Sequence, residues 1–191
     1  DWGLNQFTTH YQDATITKED IFYYTYAVLH NPDYRKKYEL NLKREFPRLP
    51  FYDDFFKWVA WGKKLMDLHI NYETVSPFEL QVIDNTHLVK DKNYKLKVKL
   101  KADKVNNIIA IDEHTYIHGI PESAWLYKLG NRSALEWVLD QYKEKKYTDK
   151  TIAEKFNTYR FANYKNHVID LLKRVCTVSV ETIKIIDEMN Q

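Results

Sequence analysis

Seven lysines fall between Thr86 and Asn106, at positions 90, 92, 95, 97, 99, 101 and 104, against Asp91 and Asp103. Within that stretch Tyr94-Lys95-Leu96-Lys97-Val98-Lys99-Leu100-Lys101 alternates strictly, the period-two signature of a half-exposed strand. Alternation sets Lys95, Lys97, Lys99 and Lys101 on one face and Leu96, Val98, Leu100 and Ala102 on the other. Successive lysines then lie about 6.6 Å apart. Such a row can follow a phosphate backbone, where each neutralised phosphate releases counterions. It equally describes the solvated outer face of a sheet, or an edge strand charged against aggregation. Asn131-Arg132-Ser133 stands where a helix is expected to begin. Free N–H groups at such a start favour an anion, although an ordinary N-cap beside a surface arginine accounts for it as well.

Other candidate chemistry is thinner. His114 and His118 share a strand face beside Asp112 and Glu113, but a metal needs three or four convergent ligands and no second cluster has zinc-like spacing. Asp140, Glu144 and Lys146 can be arranged into a nuclease-like acid–acid–lysine set only by mounting it on a helix and a loop rather than on strands. Asn31-Pro32-Asp33-Tyr34 is close to the Asn-Pro-Pro-Tyr signature of amino-methyltransferases. It links two predicted helices instead of following a strand, so it reads as a helix cap with proline at the first helical position. No Gly-rich phosphate loop and no Gly-x-Ser-x-Gly elbow occurs. Cys176, among Leu171, Leu172, Val175 and Val178, reads as a small buried hydrophobe rather than a nucleophile. The run Phe22-Tyr23-Tyr24-Thr25-Tyr26 could stack on bases, but at helical spacing it reads as core with an amphipathic rim.

Positioning these groups requires a particular layout. Thr17, with Asp20 three residues on and Ile21, Tyr24 and Val28 at helical spacing, predicts a helix over 17–30. Asn31-Pro32 predicts a second helix through about Arg44, and Phe55, Val59, Gly62 and Met66 a third over about 53–69. Between Thr74 and Ile120 the helical period disappears; Ile108 to Ile111 and Thr115 to Ile117 are β-rich sheet partners for the lysine strand. Pro121 opens a short helix that Gly130 could close, Asn131 caps another carrying Leu135, Val138 and Leu139, and residues 143–149 form a surface loop. A last long helix holds Val168, Leu171, Leu172, Val175, Ile183 and Ile186, with a β-branched stretch from Val175 to Thr182 that disfavours it locally. The fold class is α+β: N-terminal helices, a small central antiparallel sheet, C-terminal helices. The whole reads as one domain over 1–191, with a possible subdivision at 1–73, 74–120 and 121–191.

Bulk properties narrow the classes. Four glycines in 191 residues suit a mostly helical chain. Mean hydropathy of -0.61 and the lack of an apolar run of about 18 residues argue against a membrane span. One cysteine allows no disulfide framework, so a cytoplasmic setting is expected. A net charge of +2 is too mild to announce a nucleic-acid partner by itself; its placement matters. The opening Asp1-Trp2-Gly3, without Met, reads as the interior of a longer polypeptide.

Several blocks carry a resemblance. They are Asp20 to His30 (DIFYYTYAVLH), Tyr34 to Tyr38 (YRKKY), Leu42 to Phe51 (LKREFPRLPF) and Leu65 to Glu73 (LMDLHINYE). Gly119-Ile120-Pro121, Asn131 to Trp137 (NRSALEW), Asp140-Gln141-Tyr142 and Leu171 to Thr182 follow. In this order, from about 17 to 186, they resemble the C-terminal specificity domain of Type ISP restriction–modification enzymes. The stretch after Asp140-Gln141-Tyr142, Lys143 to Lys150, is shorter than that family's pattern. The resemblance implies a domain that reads a short asymmetric site in double-stranded DNA and presents an adenine to a methyltransferase domain of the same polypeptide, which takes the base out of the stack. It implies no catalytic residue, metal or cofactor in this chain. S-adenosylmethionine, ATP and magnesium are implied only for the parent enzyme.

The segment 74–118 matches the family least, and a specificity domain should differ from its relatives where it reads sequence. Within that expectation Lys95, Lys97, Lys99, Lys101 and Arg132 hold phosphates. Lys90, Lys92, Asn93, Asn106 and Asn107 are candidates for base edges, lysine suiting guanine and asparagine adenine. Two other readings stand beside it: a helical module that docks other domains of its parent and touches DNA little, supported by the aromatic excess of the first and last helices, and a stand-alone enzyme, for which no convergent site can be assembled.

Overall fold

Thr17 starts a helix as its spacing predicts. Its hydroxyl accepts from the Asp20 amide at 3.1 Å, and the Asp20 carboxylate accepts from the Thr17 amide at 2.8 Å, so two otherwise orphaned donors are satisfied. In the computed structural model, which describes residues 1–90, 94 and 96–190, this helix is α2, Lys18–His30. It follows α1, Trp2–Tyr11, which sequence patterning does not announce: Asp1 makes no side-chain cap and Phe7 is its one buried residue. The Asn31 side chain accepts from the Tyr34 amide at 2.9 Å, opening α3, Pro32–Lys37. The single helix expected through Arg44 is instead broken at Tyr38, with α4 at Glu39–Leu42. Arg35, Lys36, Lys37, Glu39, Leu40 and Asn41 are exposed, while Tyr34, Tyr38 and Leu42, four residues apart, turn toward the core across the break. Asp54 caps α5, Phe55–Ile70.

These helices belong to a first compact unit, Asp1–Asn71 with Lys184–Gln191. Its core joins Tyr24, Val28, Tyr34, Trp58, Leu65 and Ile185, and the Phe22 to Tyr26 run divides as core and rim, with Tyr24 buried and Phe22 exposed. Helices α2 and α5 meet at Gly62. A Cβ there would stand 1.8 Å from the Tyr23 carbonyl oxygen and 2.5 Å from its carbon. Behind this contact Tyr26 hydroxyl and His69 Nδ1 are 2.7 Å apart, and His30 Nδ1 lies 2.7 Å from the Tyr26 carbonyl oxygen. Burial lowers both imidazole pKa values, that of His69 to about 4.

The second unit, Tyr72–Ile183, carries an antiparallel sheet in the order β1-β4-β3-β2. Its strands are β1 (Gln81–Asp84), β2 (Val98–Asp103), β3 (Ile108–Asp112) and β4 (Thr115–His118). Strand β2 begins at Val98, later than the alternation from Tyr94 predicts. The register passes from Val98 opposite Asp112 to Lys101 opposite Ala110, so Lys99 and Leu100 share one partner position and Leu100 takes a φ of 41°. A bulge of this kind bends the strand. One sheet face buries Leu100, Ile109, Ile111 and Ile117 beside Leu135, Phe161 and other buried side chains.

The chain then forms α6 (Glu122–Leu126), a hairpin of β5 (Lys128–Leu129) and β6 (Arg132–Ser133), α7 (Ala134–Gln141), α8 (Lys150–Phe156) and α9 (Lys165–Met189). Two expectations are corrected here. Gly130, with φ 71°, turns the β5–β6 hairpin rather than ending a helix. Ser133, not Asn131, caps α7: its hydroxyl accepts from the Glu136 amide at 3.3 Å while Glu136 accepts from the Ser133 amide at 2.8 Å. Asn131 has Ala134 three residues on and cannot close such a box. Helix α9 runs unbroken through its β-branched stretch, because Val175, Val178, Val180 and Cys176 are buried and tertiary packing outweighs propensity. Cys176 is wholly buried, and burial pushes its thiol pKa up to about 12. Among the described residues no helix is long and apolar enough to cross a membrane.

Gly62→Ala should destabilise the first unit by about 3 kcal/mol or more, because backbone rather than a flexible side chain blocks the methyl group; a denaturant titration measures it. Acid should also destabilise this unit. An unfolded His69 takes up a proton near pH 6.5, whereas the folded one resists until about 4. The stability contributed by the neutral ring is therefore complete above about 6.5 and is lost as pH falls toward 4, by about 3 kcal/mol at most. Denaturant midpoints between pH 7 and 4 should fall, and His69→Asn should flatten that dependence.

Candidate nucleic-acid interface

The β2 lysines depend on what holds the sheet. Lys165, at the start of α9, sits only 13% exposed with its Nζ 3.0 Å from the fully buried Asp112 and 2.9 Å from Asp84. It also donates to Thr115 Oγ1 at 2.6 Å and to Thr86 Oγ1 at 3.3 Å. The other Asp112 oxygen accepts from the His114 amide at 2.8 Å. One ammonium thus ties the ends of β1, β3 and β4 to α9. Burial alone would raise the Asp84 pKa, but hydrogen bonds from Thr86 and Lys165 outweigh it and hold this carboxyl well below the usual carboxylate range. Burial would lower the Lys165 pKa, but Asp84 and Asp112 outweigh it and raise it. Nothing local in the sequence marks this knot: its members lie far apart along the chain.

The opposite, solvent-side face of the sheet carries Lys99 and Lys101 from β2, the small Ala110 from β3, and Tyr116 and His118 from β4. Lys101 pairs in register with Ala110, and Ala110 with Tyr116. The result is a low strip at Ala110 between a cationic edge and an aromatic one. Lys99 crosses the strip to donate to the Tyr116 hydroxyl at 2.9 Å, its Nζ 5.3 Å from the ring centroid. The lysine pattern does not point to Tyr116 and His118, whose rings are 6.4 Å apart; the alternation of β4 is the signal that places them on this surface.

The predicted contact residues fall into three sets. Lys97, Lys99 and Lys101 are exposed, with Lys97 loosely paired to Glu113 at 3.5 Å. Lys95, Lys92 and Asn93 lie outside the described residues. Lys90 is exposed in the connection after β1. Asn106 and Asn107 form the β2–β3 turn. The Asn106 amide donates to Asp103 at 2.8 Å, and Asn107, in a left-handed conformation of φ 56°, accepts from Trp125 Nε1 at 2.9 Å. An adenine contact using both amide atoms of Asn107 would have to displace that indole. Beside them Val105, 91% exposed, stands at the hairpin tip.

Arg132 lies in β6, one residue before the Ser133 cap of α7. It pairs with Asp140 at 3.1 Å and lies 5.6 Å from the Trp137 ring centroid. With Lys101, Glu136 and Lys143 it lines an open cleft of about 220 Å³. Asp140 is thereby engaged by Arg132 and by Lys143 at 3.2 Å, and Glu144 accepts from the Phe161 amide at 2.9 Å. The acid–acid–lysine set does not converge. Among the described residues no group of three His, Cys, Asp or Glu side chains could hold a metal.

Residues 1–171 match the family model described as the Type ISP C-terminal specificity domain. No curated protein matches the chain. Among solved structures, part of the DrdV–DNA complex superposes with a TM-score of 0.91 at 52% identity, covering 99% of this chain and 19% of that one. A nuclease-deletion mutant of the Type ISP restriction–modification enzyme LlaGI, in complex with a DNA substrate mimic, gives 0.70 at 33% identity, with 92% and 16% covered. The ATP-dependent Type ISP enzyme LlaBIII bound to DNA gives 0.71 at 31% identity, with 93% and 11% covered. The chain thus spans a fifth or less of the length of these proteins.

Lys165→Met should cost about 3–5 kcal/mol of stability, because it strands a buried carboxylate at Asp112. Adding Asp112→Asn should recover part of that loss, and a double-mutant cycle of unfolding free energies reads the coupling directly.

Proposed function

This chain belongs to the family of Type ISP C-terminal specificity domains, and on that premise we propose that it recognises a short asymmetric site in duplex DNA and directs the methyltransferase and nuclease parts of a longer polypeptide to it. The observation that carries the reading is the family match along most of the chain, supported by its likeness to portions of three proteins solved with DNA or a DNA mimic. Its partners are then double-stranded DNA and a methyltransferase domain of the same polypeptide, in the cytoplasm. Chemistry that uses S-adenosylmethionine, ATP or magnesium belongs to other parts of that polypeptide, and this chain is non-catalytic.

Within this function the second unit carries the contacts. Lys97, Lys99 and Lys101, continued by Lys95, hold phosphates and set position; Arg132 adds a further phosphate contact once Asp140 releases it. Exposed ion pairs such as Lys97–Glu113 are weak, so a phosphate can take over the ammonium at small cost. Lys90, Lys92, Asn93, Asn106 and Asn107 reach base edges. The Asn107 amide keeps its donor available while Trp125 holds its oxygen.

The test is selection of DNA by the purified chain from a randomised duplex pool at two salt concentrations, with sequencing of the bound fraction. An enriched asymmetric motif is the expected result. Replacing Lys97, Lys99 and Lys101 with Ala should weaken all sequences alike and reduce the salt slope by about 0.9 for each phosphate left without its lysine. Replacing a base-reading residue such as Asn106 should cost about 1–3 kcal/mol at one base pair. No binding at low salt, with or without an attached methyltransferase domain, would turn the reading toward a docking module.

A further inference from the structure

A second concentration of positive charge lies outside the lysine strand. From Arg35 to Arg48 the chain holds Arg35, Lys36, Lys37, Lys43, Arg44 and Arg48 against Glu39 and Glu45, a net of +4 in a molecule whose total is +2. Counting Asp33 as well still leaves +3. All six cations are exposed. The two carboxylates are already taken, Glu39 by Lys43 at 2.6 Å and Glu45 by Arg48 at 3.5 Å. Arg35, Lys36, Lys37 and Arg44 make no ion pair with any described residue. In the sheet, by contrast, Lys97, Lys104 and Arg132 each have an acidic partner and Lys99 is held by Tyr116.

A second observation comes from the same segment. Phe46, between Arg44 and Arg48, is 94% exposed. Its neighbours explain why it is presented rather than buried. The Tyr34 hydroxyl donates to the Arg48 carbonyl oxygen at 3.0 Å, and the Tyr24 hydroxyl donates to the Pro50 carbonyl oxygen at 2.6 Å. The backbone on the C-terminal side of Phe46 is therefore tied down by two buried tyrosines. A small cleft of about 120 Å³ opens beside it, walled by Tyr34, Tyr38 and Phe46 with Arg48 at its lining. Lys37 Nζ lies 5.3 Å from the Tyr38 ring centroid, so one unpaired cation stands beside that aromatic wall. Four exposed cations with no ion pair to any described residue, in one segment with a held, water-exposed aromatic, fit a polyanion that also has apolar planar groups.

We propose that this surface of the first unit, formed by α3, α4 and the loop to Pro50, is a second nucleic-acid contact. Arg35, Lys36, Lys37 and Arg44 bind backbone phosphates, and Phe46 packs on a sugar or an exposed base. The proposal rests on the reading that the chain binds DNA, and it adds a contact outside the sheet. Phosphate contacts carry no sequence information, so this surface strengthens binding to every site without choosing among them.

The experiment uses the full chain with two duplexes, one carrying the selected motif and one unrelated, titrated by fluorescence anisotropy over a series of salt concentrations. The first variant replaces Arg35, Lys36, Lys37 and Arg44 with Gln. The changed side chains are exposed and unpaired, and circular dichroism confirms the fold. Affinity for both duplexes should fall about tenfold or more, with the salt slope reduced by between about 1 and 4 and the preferred motif unchanged. Phe46→Ala should weaken binding about fivefold or more with the salt slope intact. If the unaltered chain binds and the Gln variant matches it in affinity and slope, this contact is overturned while target recognition stands, and an acidic protein face becomes the partner of the patch. A loss confined to the motif-bearing duplex would also overturn the phosphate assignment. Failure of the unaltered chain to bind either duplex overturns the DNA reading itself, and this contact with it.

Discussion

The second unit depends on a buried charge pair. Removing Asp112 and Lys165 from water is costly, and their attraction offsets that cost with the help of further hydrogen bonds to each. Thr115, Thr86 and Asp84 accept from the ammonium, the His114 amide donates to one Asp112 oxygen, and the other faces the ammonium as an ion pair. Hydrophobic burial of Ile109, Ile111 and Ile117 is generous but non-directional. It would tolerate a helix that slides along the sheet. The ion pair does not, because a shift of an ångström or two at Lys165 breaks its hold on three strand ends together. A lysine row on the opposite face is useful for reading a duplex only when its backing is fixed in this way.

Much of the architecture was legible in local sequence, because local rules govern it. Thr17 with Asp20, Asn31 with Pro32, and the apolar spacing of α5 placed the early helices. Alternation found the sheet that carries Lys99 and Lys101. The failures have physical causes. Asn131 and Ser133 are both good caps, and the acid three residues on decides between them; Glu136 serves Ser133. The bulge at Lys99 and Leu100 moved the start of β2, and a residue such as Leu100 gives no warning of a positive φ. The break at Tyr38 is marked by no breaker residue, and Tyr34, Tyr38 and Leu42 keep helical spacing across it. The Lys165 knot stayed hidden because Asp84, Asp112 and Lys165 meet only through the tertiary fold. The family resemblance supplied the functional frame, which composition and spacing left open between a phosphate-binding strand and an ordinary solvated edge.

Charge in this molecule is better understood by partnership than by sum. A net of +2 conceals cations of different standing. Lys165 is committed to structure. Lys97, Lys104 and Arg132 have surface partners that solvent screens and a phosphate could displace. Arg35, Lys36 and Arg44 have no ion-pair partner among the described residues.

The lone thiol has a consequence of a different kind. Cys176 is the only sulfur nucleophile in the chain, it is wholly buried in the second unit, and its pKa near 12 leaves almost none of it as thiolate at neutral pH. Thiol-directed reagents therefore find no accessible thiolate while the fold is closed. The rate at which the thiol is modified becomes a clock for the opening of α9 from its packing, timing excursions too rare for an equilibrium spectrum to register.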